Sequence, residues 1–143
     1  MLLRVMTTAD YDKAYALWTG TPGMGLRSLD DSREGIVRFL RRNPATCFVA
    51  EEGDRLAGIL LCGHDGRRGY IYHTAVHPDF RRRGLGKALV DAALGALRAE
   101  GIMKAALVVF SANETGNAFW EAIGFETRKD LVYRNKSLNS ENR

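Results

Sequence analysis

The sequence predicts one mixed α/β domain folded around a single sheet. Three observations predict it. Consecutive β-type runs, Cys47–Glu51, Leu56–Cys62 and Gly69–Val76, fill the middle of the chain with aliphatic, β-branched and aromatic residues. Stretches with helical spacing of apolar residues lie on both sides of these runs. The length of 143 residues, with 45% hydrophobic and 27% charged content, is that of one globular domain able to bury its own core. The domain is expected to span 1–136, followed by a polar tail over 137–143.

The elements follow in order. Leu2–Val5 reads as a short strand. Thr7 or Thr8 caps a helix whose apolar positions Tyr11, Ala14, Tyr15 and Trp18 share one face. Thr19 to Leu26 holds three glycines and a proline and reads as a loop. Asp30, Asp31 and Ser32 give the next helix an acidic first turn, Ile36, Val37, Phe39 and Leu40 its apolar stripe, and Arg41 and Arg42 its basic end. Glu52-Gly53-Asp54-Arg55 joins the first two central runs as a hairpin turn. Gly84–Glu100 is a helix whose many alanines and Gly95 suit close packing on a sheet. Ala105–Phe110 is a further strand. Asn113 caps a short helix that stops at Gly124. Phe125–Tyr133 is expected to hold a last pair of strands, and the tail to fray.

The net charge of +4 permits an anionic ligand without indicating nucleic acid. Cys47 and Cys62 each sit in an apolar run and read as buried free thiols. There is no CxxC pair and no His/Cys ligand spacing, so no metal is expected. No apolar run reaches membrane-spanning length, and a reduced cytoplasmic location is the default.

The chemistry concentrates between Val76 and Ala88. A strand ends, the basic turn Arg81-Arg82-Arg83 follows, and Gly84-Leu85-Gly86-Lys87 opens a helix. Free N–H groups and the dipole at a helix start attract anions. Glycines let a phosphate approach the backbone, and the arginines and Lys87 add cationic donors. A P-loop would need Ser or Thr after Lys87, where Ala88 stands. A dinucleotide fingerprint would need a third glycine at Leu89. The remaining readings on spacing alone are a diphosphate cradle and a solvated basic turn that caps a helix.

The run from Ala75 to Gly86 resembles the cofactor signature of the GNAT acetyltransferases, [Gln/Arg]-x-x-Gly-x-[Gly/Ala], with Arg81, Gly84 and Gly86 in the defined places. The run from Asn113 to Gly124-Phe125 resembles their second signature, and the element order agrees over nearly the whole chain. Within the family the chain most resembles small bacterial members and the ribosomal-protein N-terminal acetyltransferases. The resemblance implies one central mixed, mostly antiparallel sheet, about four helices, and a parallel strand pair, Gly69–Val76 with Ala105–Phe110, that splays into a slot. It implies acetyl-CoA as cosubstrate and transfer to a primary amine, on a small molecule or a peptide, by direct attack in a ternary complex. Backbone amides from Arg81 through Arg82, Arg83, Gly84, Leu85 and Gly86 to Lys87 would hold the pyrophosphate. The Ala75 and Val76 backbone would pair with the pantetheine arm, and Asn113, Phe119 and Trp120 would line its other side. On this reading Gly86→Glu abolishes CoA binding in a folded protein.

Two positions depart from the family. Trp120 stands where many members carry the tyrosine that protonates the leaving thiolate, and an indole N–H does not release its proton near neutrality. Val108 and Tyr70 stand where two branches carry a glutamate base. An amine of lysine type, with a pKa of ~10, still needs to lose a proton before it attacks. His73 is then the candidate base and Tyr72 the candidate acid; structural roles in the strand compete with both. His64 and His77 read as solvent-facing loop residues. Trp18 is read as core, with the acceptor wall as its other place. A CoA-binding module without turnover is the competing function. A nucleic-acid binder lacks the aromatic-basic stripe it would need. The partners expected are therefore CoA and an amine, with no membrane or nucleic acid, for a monomer or homodimer.

Overall fold

A computed structural model describes residues 1–143. Its elements run β1 (Leu2–Val5), α1 (Tyr11–Thr19), α2 (Arg33–Arg42), β2 (Phe48–Glu52), β3 (Arg55–His64), β4 (Gly69–Val76), α3 (Leu85–Ala99), β5 (Ala105–Ala106) and α4 (Glu114–Ala122). A 3-10 turn, Thr8–Asp10, leads into α1, and another, Pro78–Phe80, follows β4. The five strands form one sheet in sequence order. β1 to β4 are antiparallel, and β5 alone runs parallel to β4.

The central strand β3 explains the continuous apolar run in its sequence. Ile59 and Leu61 pack with α1 and α2 residues such as Ala14, Trp18, Ile36 and Leu40. Leu60 and Cys62 face the other way and pack with Leu85, Leu89, Val90 and Ala93 of α3. A strand buried on both faces must be apolar at every position, whereas a one-sided strand alternates. The result is three layers, with α1 and α2 on one face and α3 and α4 on the other.

Charge fixes the start of α1 against the sheet. Arg4 on β1 makes two hydrogen bonds to Asp10, at 2.8 and 2.9 Å, and reaches Glu51 on β2 at 3.0 Å. Burial works against the charge of the Asp10 carboxyl, yet the Arg4 guanidinium and the Thr7 N–H hold it below the usual carboxylate range.

The structure corrects several expectations. Ala105–Phe110 pairs only over its first two residues, Gly69 with Ala105 and Tyr70 with Ala106. Beyond them the chain has no strand on either side, so no ladder continues. The expected pair of strands in Phe125–Tyr133 is absent, and no helix or strand follows Ala122. Arg128 pairs locally with Asp130 there instead. The tail does not fray: residues Glu141 to Arg143 are bonded to Ser28–Asp30. Asp30 and Asp31 are not in the first turn of α2, because Ser32 is the residue whose side chain accepts the Gly35 N–H and caps the helix. Gly95 is exposed, with open space where a side chain would stand, so it serves no close packing. His64 is not solvent-facing: its Nε2 lies 3.1 Å from Glu100 and its Nδ1 accepts the Gly66 N–H.

Cys47 and Cys62 are both fully buried and unbridged. Burial pushes the Cys47 thiol up to about 11 and the Cys62 thiol up to about 12. A buried thiol that stays protonated is a poor nucleophile. Both are expected to resist iodoacetamide at pH 8 in the native protein and to react at once in guanidinium. Their pKa values are higher folded than unfolded. The stability they support is therefore intact below the unfolded value of 9.0 and is lost as pH rises through 11 to 12. Melting temperature should fall over that window, and a Cys47→Ala, Cys62→Ala variant should show a shallower fall.

Candidate functional site

The site starts from an irregularity in β4. Ile59 faces Ala75 and Leu61 faces Tyr72, so His73 and Thr74 share the place opposite Leu60. That extra residue is a β-bulge, which turns the local strand and re-aims a side chain. His73 has a φ of 28°, a positive value that costs a non-glycine residue about 1–3 kcal/mol. The surroundings hold it there. His73 Nε2 lies 2.6 Å from Asp31 Oδ1, and the ring sits edge-on to Trp18 at 5.2 Å.

Asp31 is itself fixed. Its carboxylate accepts the Arg27 N–H at 2.6 Å, and its carbonyl accepts the Tyr11 hydroxyl at 2.7 Å. A carboxylate oxygen accepts, so in a neutral ring this contact favours the tautomer with its proton on Nε2 and its lone pair on Nδ1. The sequence showed His73 and did not show Asp31 as its partner, because 42 residues separate them and Asp31 reads as a helix-start acid. Trp18 is core, with no exposed surface, and its indole N–H has no hydrogen-bond partner.

His73 and Tyr72 line a cavity of about 420 Å³. One wall is the loop around Gly23, Met24, Gly25 and Arg27. The floor is β4 from Tyr70 to Thr74, and the opposite wall is Leu107–Phe110 with Asn113 and Trp120. The slot opens where β5 leaves β4 after Tyr70, and Tyr133 and Asn135 complete its lining. A second cavity of about 280 Å³ shares Gly25, Arg27, Tyr72 and His73 and reaches Asp30 and Asp31. The His73–Asp31 pair stands between the two. Burial, with Tyr133 and Tyr72 beside it, pushes the Tyr70 hydroxyl up to about 12. Burial, Tyr133 and Asp30 raise Tyr72 as well. Both phenols therefore keep their protons near neutral pH and act as donors.

The basic turn forms as a helix start open to solvent. Gly84 precedes α3 with φ 73° and ψ 15°, left-handed geometry that glycine adopts freely. Nothing lies within 4 Å of the place a Cβ would take. The Ala88 N–H bonds Gly84, and the N–H groups of Leu85, Gly86 and Lys87 have no intrahelical acceptor, as in the first turn of any helix. Arg82, also at positive φ, and the other basic side chains of the turn are exposed. Arg83 lies over Phe80 at 5.3 Å, and Lys87 pairs with Asp91 at 2.7 Å. An uncapped, glycine-led and cationic helix start fits a diphosphate.

The structure separates some residues that the sequence grouped. Gly86 also has a packing role, since a Cβ there would come within 3.0 Å of the Phe119 ring. Phe119 thus packs against α3 and does not line the cavity, whereas Trp120 does. Asn113 Oδ1 accepts the Gly116 N–H and caps α4, and the residue also faces the cavity. Ala75 and Val76 pair with β3 on one side. The Val76 carbonyl points to the free edge, where Arg81 Nε donates to it at 3.2 Å. His77 caps the 3-10 turn through Nδ1.

Comparison with known proteins agrees with this fold. The model of the Acetyltransferase (GNAT) family matches residues 11–125. An acetyltransferase of Yersinia enterocolitica is 32% identical over 132 residues, 92% of each chain. Among solved structures, Ard1 from Thermoplasma volcanium superposes with a TM-score of 0.76 at 22% identity, covering 86% of this chain and 80% of its own. The PaiA N-acetyltransferase of Thermoplasma acidophilum, solved in complex with coenzyme A, gives 0.76 at 17% identity, covering 89% and 90%.

Proposed function

Because the chain belongs to the GNAT acetyltransferase family and is an acetyl-CoA-dependent N-acyltransferase, we propose that it acetylates a primary amine by direct attack, with His73 as the base. The observation that carries this reading is the Asp31–His73 pair on the cavity wall, beside the slot left by β5.

Acetyl-CoA supplies the thioester that the amine attacks. Toward it, the chain offers the α3 start and the exposed cations of Arg81–Lys87 for the diphosphate. The free edge of β4 at Val76 would serve the pantetheine arm, in competition with Arg81. Trp120 and Asn113 flank the slot. His73 Nδ1 takes the proton that the ammonium form must lose, and Asp31 steadies the imidazolium that results. Tyr72, kept protonated, donates to the departing sulfur.

The competing reading, a CoA-binding module without turnover, is favoured by Trp120 and Val108, which fill the places of the family's usual acid and base. Release of free thiol from acetyl-CoA against a panel of small amines and short peptides decides between them. Turnover on any amine supports the enzyme. Tight CoA binding with no turnover on any member of the panel would leave the module.

A further inference from the structure

The segment after α4 has no regular structure, yet it is fastened at both ends. At its start the Phe125 N–H bonds the Trp120 carbonyl at 2.9 Å, and the two rings meet edge to face at 5.1 Å. At its end the Asn142 amide oxygen accepts two N–H groups, from Leu29 and Asp30, each at 3.0 Å. The same amide donates its Nδ2 to the Asp30 carboxylate at 2.9 Å. Ser28 adds three bonds: its hydroxyl donates to the Glu141 carbonyl and accepts the Arg143 N–H, and its own N–H donates to the Arg143 carbonyl. Between these ends the chain crosses the cavity, where Tyr133 and Asn135 form part of the lining. Tyr133 lies close enough to Tyr70 and Tyr72 to raise both hydroxyls.

We propose that residues 126–143 form a strap across the acceptor mouth of the cavity, and that Asn142 is its latch on the Ser28–Asp30 turn. The chemistry of the latch is specific. One neutral amide both accepts from two backbone donors and donates to a carboxylate, and a carboxylate at position 142 would repel Asp30 instead. The latched turn continues directly into Asp31, the partner of His73, so the strap ends where the acceptor has to arrive. Unlatching opens the mouth for acceptor entry and product exit. That role rests on the function proposed above; the latch itself does not.

The test uses tryptophan emission without any ligand. Trp18 is fully buried, so acrylamide quenching of the full chain reports Trp120, which lines the cavity under the strap. Asn142→Ala and Asn142→Asp should each raise the quenching constant about two- to threefold. Adding Asp30→Asn to Asn142→Asp exchanges donor and acceptor and should restore the native value. In a Trp120→Phe background the change should vanish. An unchanged constant in Asn142→Ala, or no recovery in the double variant, overturns the latch. CoA affinity, titrated on the Asn142 and Asp30 variants with Trp120 intact, should stay within about twofold; a parallel loss would overturn the placement of the strap on the acceptor side. Absence of CoA binding in the native chain would sink the acetyltransferase site, while the quenching change would still support the strap.

Discussion

His73→Gln is expected to lower kcat/KM for acetyl transfer by about 10²- to 10⁴-fold, the usual worth of a positioned base. It should also flatten the acid limb of the pH–rate profile. A base must be unprotonated to accept the amine's proton, so activity governed by it falls as pH falls, and removing it removes that dependence. Asp31→Asn keeps an oxygen acceptor near Nε2 but loses the charge that supports the imidazolium. A smaller loss of roughly 10- to 100-fold is expected, as for other groups that orient a functional imidazole. The pair should behave as a unit, so the double variant should lose little more than His73→Gln alone. Steady-state rates between pH 6 and 10, with circular dichroism as a check of folding, make the measurement. A rate within threefold of native and an unaltered profile in His73→Gln would remove His73 as the base.

The second large effect is expected at Gly84. Aspartate tolerates left-handed backbone better than most residues, and the space around this position is open. Gly84→Asp should therefore fold, with a melting temperature only a few degrees lower. Its carboxylate would stand at the start of α3, compete for the free N–H groups and repel a diphosphate. CoA affinity should fall by about 100-fold, or about 2.7 kcal/mol. Gly86→Glu is a poorer test than the sequence suggests, because any side chain there also presses on Phe119. A CoA affinity within twofold of native in Gly84→Asp, read by calorimetric titration, would mean that the basic turn is a solvated cap and not the cradle.

Much of the fold is legible in the chain because it rests on local patterning. The β3 run is apolar throughout because both of its faces are covered. The Gly69–Val76 strand has the bounds that its composition gives it. Ser32 and Asn113 cap helices through their own side chains, and those bonds close within three residues. Two expected strand segments failed because the pairing that each needed did not form. The apolar run Leu107–Phe110 suggests a strand, but a strand is a pairing, and past Ala106 no partner is present. Phe125–Tyr133 fails as a strand pair for the same reason.

The site divides along the same line. The basic turn of Arg81 to Lys87 is contiguous, so its charges, its glycines and its place before a helix are all read from the sequence, which on spacing alone leaves a diphosphate cradle and a solvated cap as its two readings. The base could be suspected from His73 and no further. What makes His73 a candidate with a defined proton is a bulge opposite Leu60 and a carboxylate from the turn before α2. Asn142 reaches Asp30 across a still longer interval of chain, 112 residues. Sequence therefore determined the contiguous features, such as the basic turn and the helix caps, because they depend on neighbours in the chain. Tertiary structure decided which groups meet at the cavity, because a hydrogen bond between remote residues exists only once the core has brought their elements together.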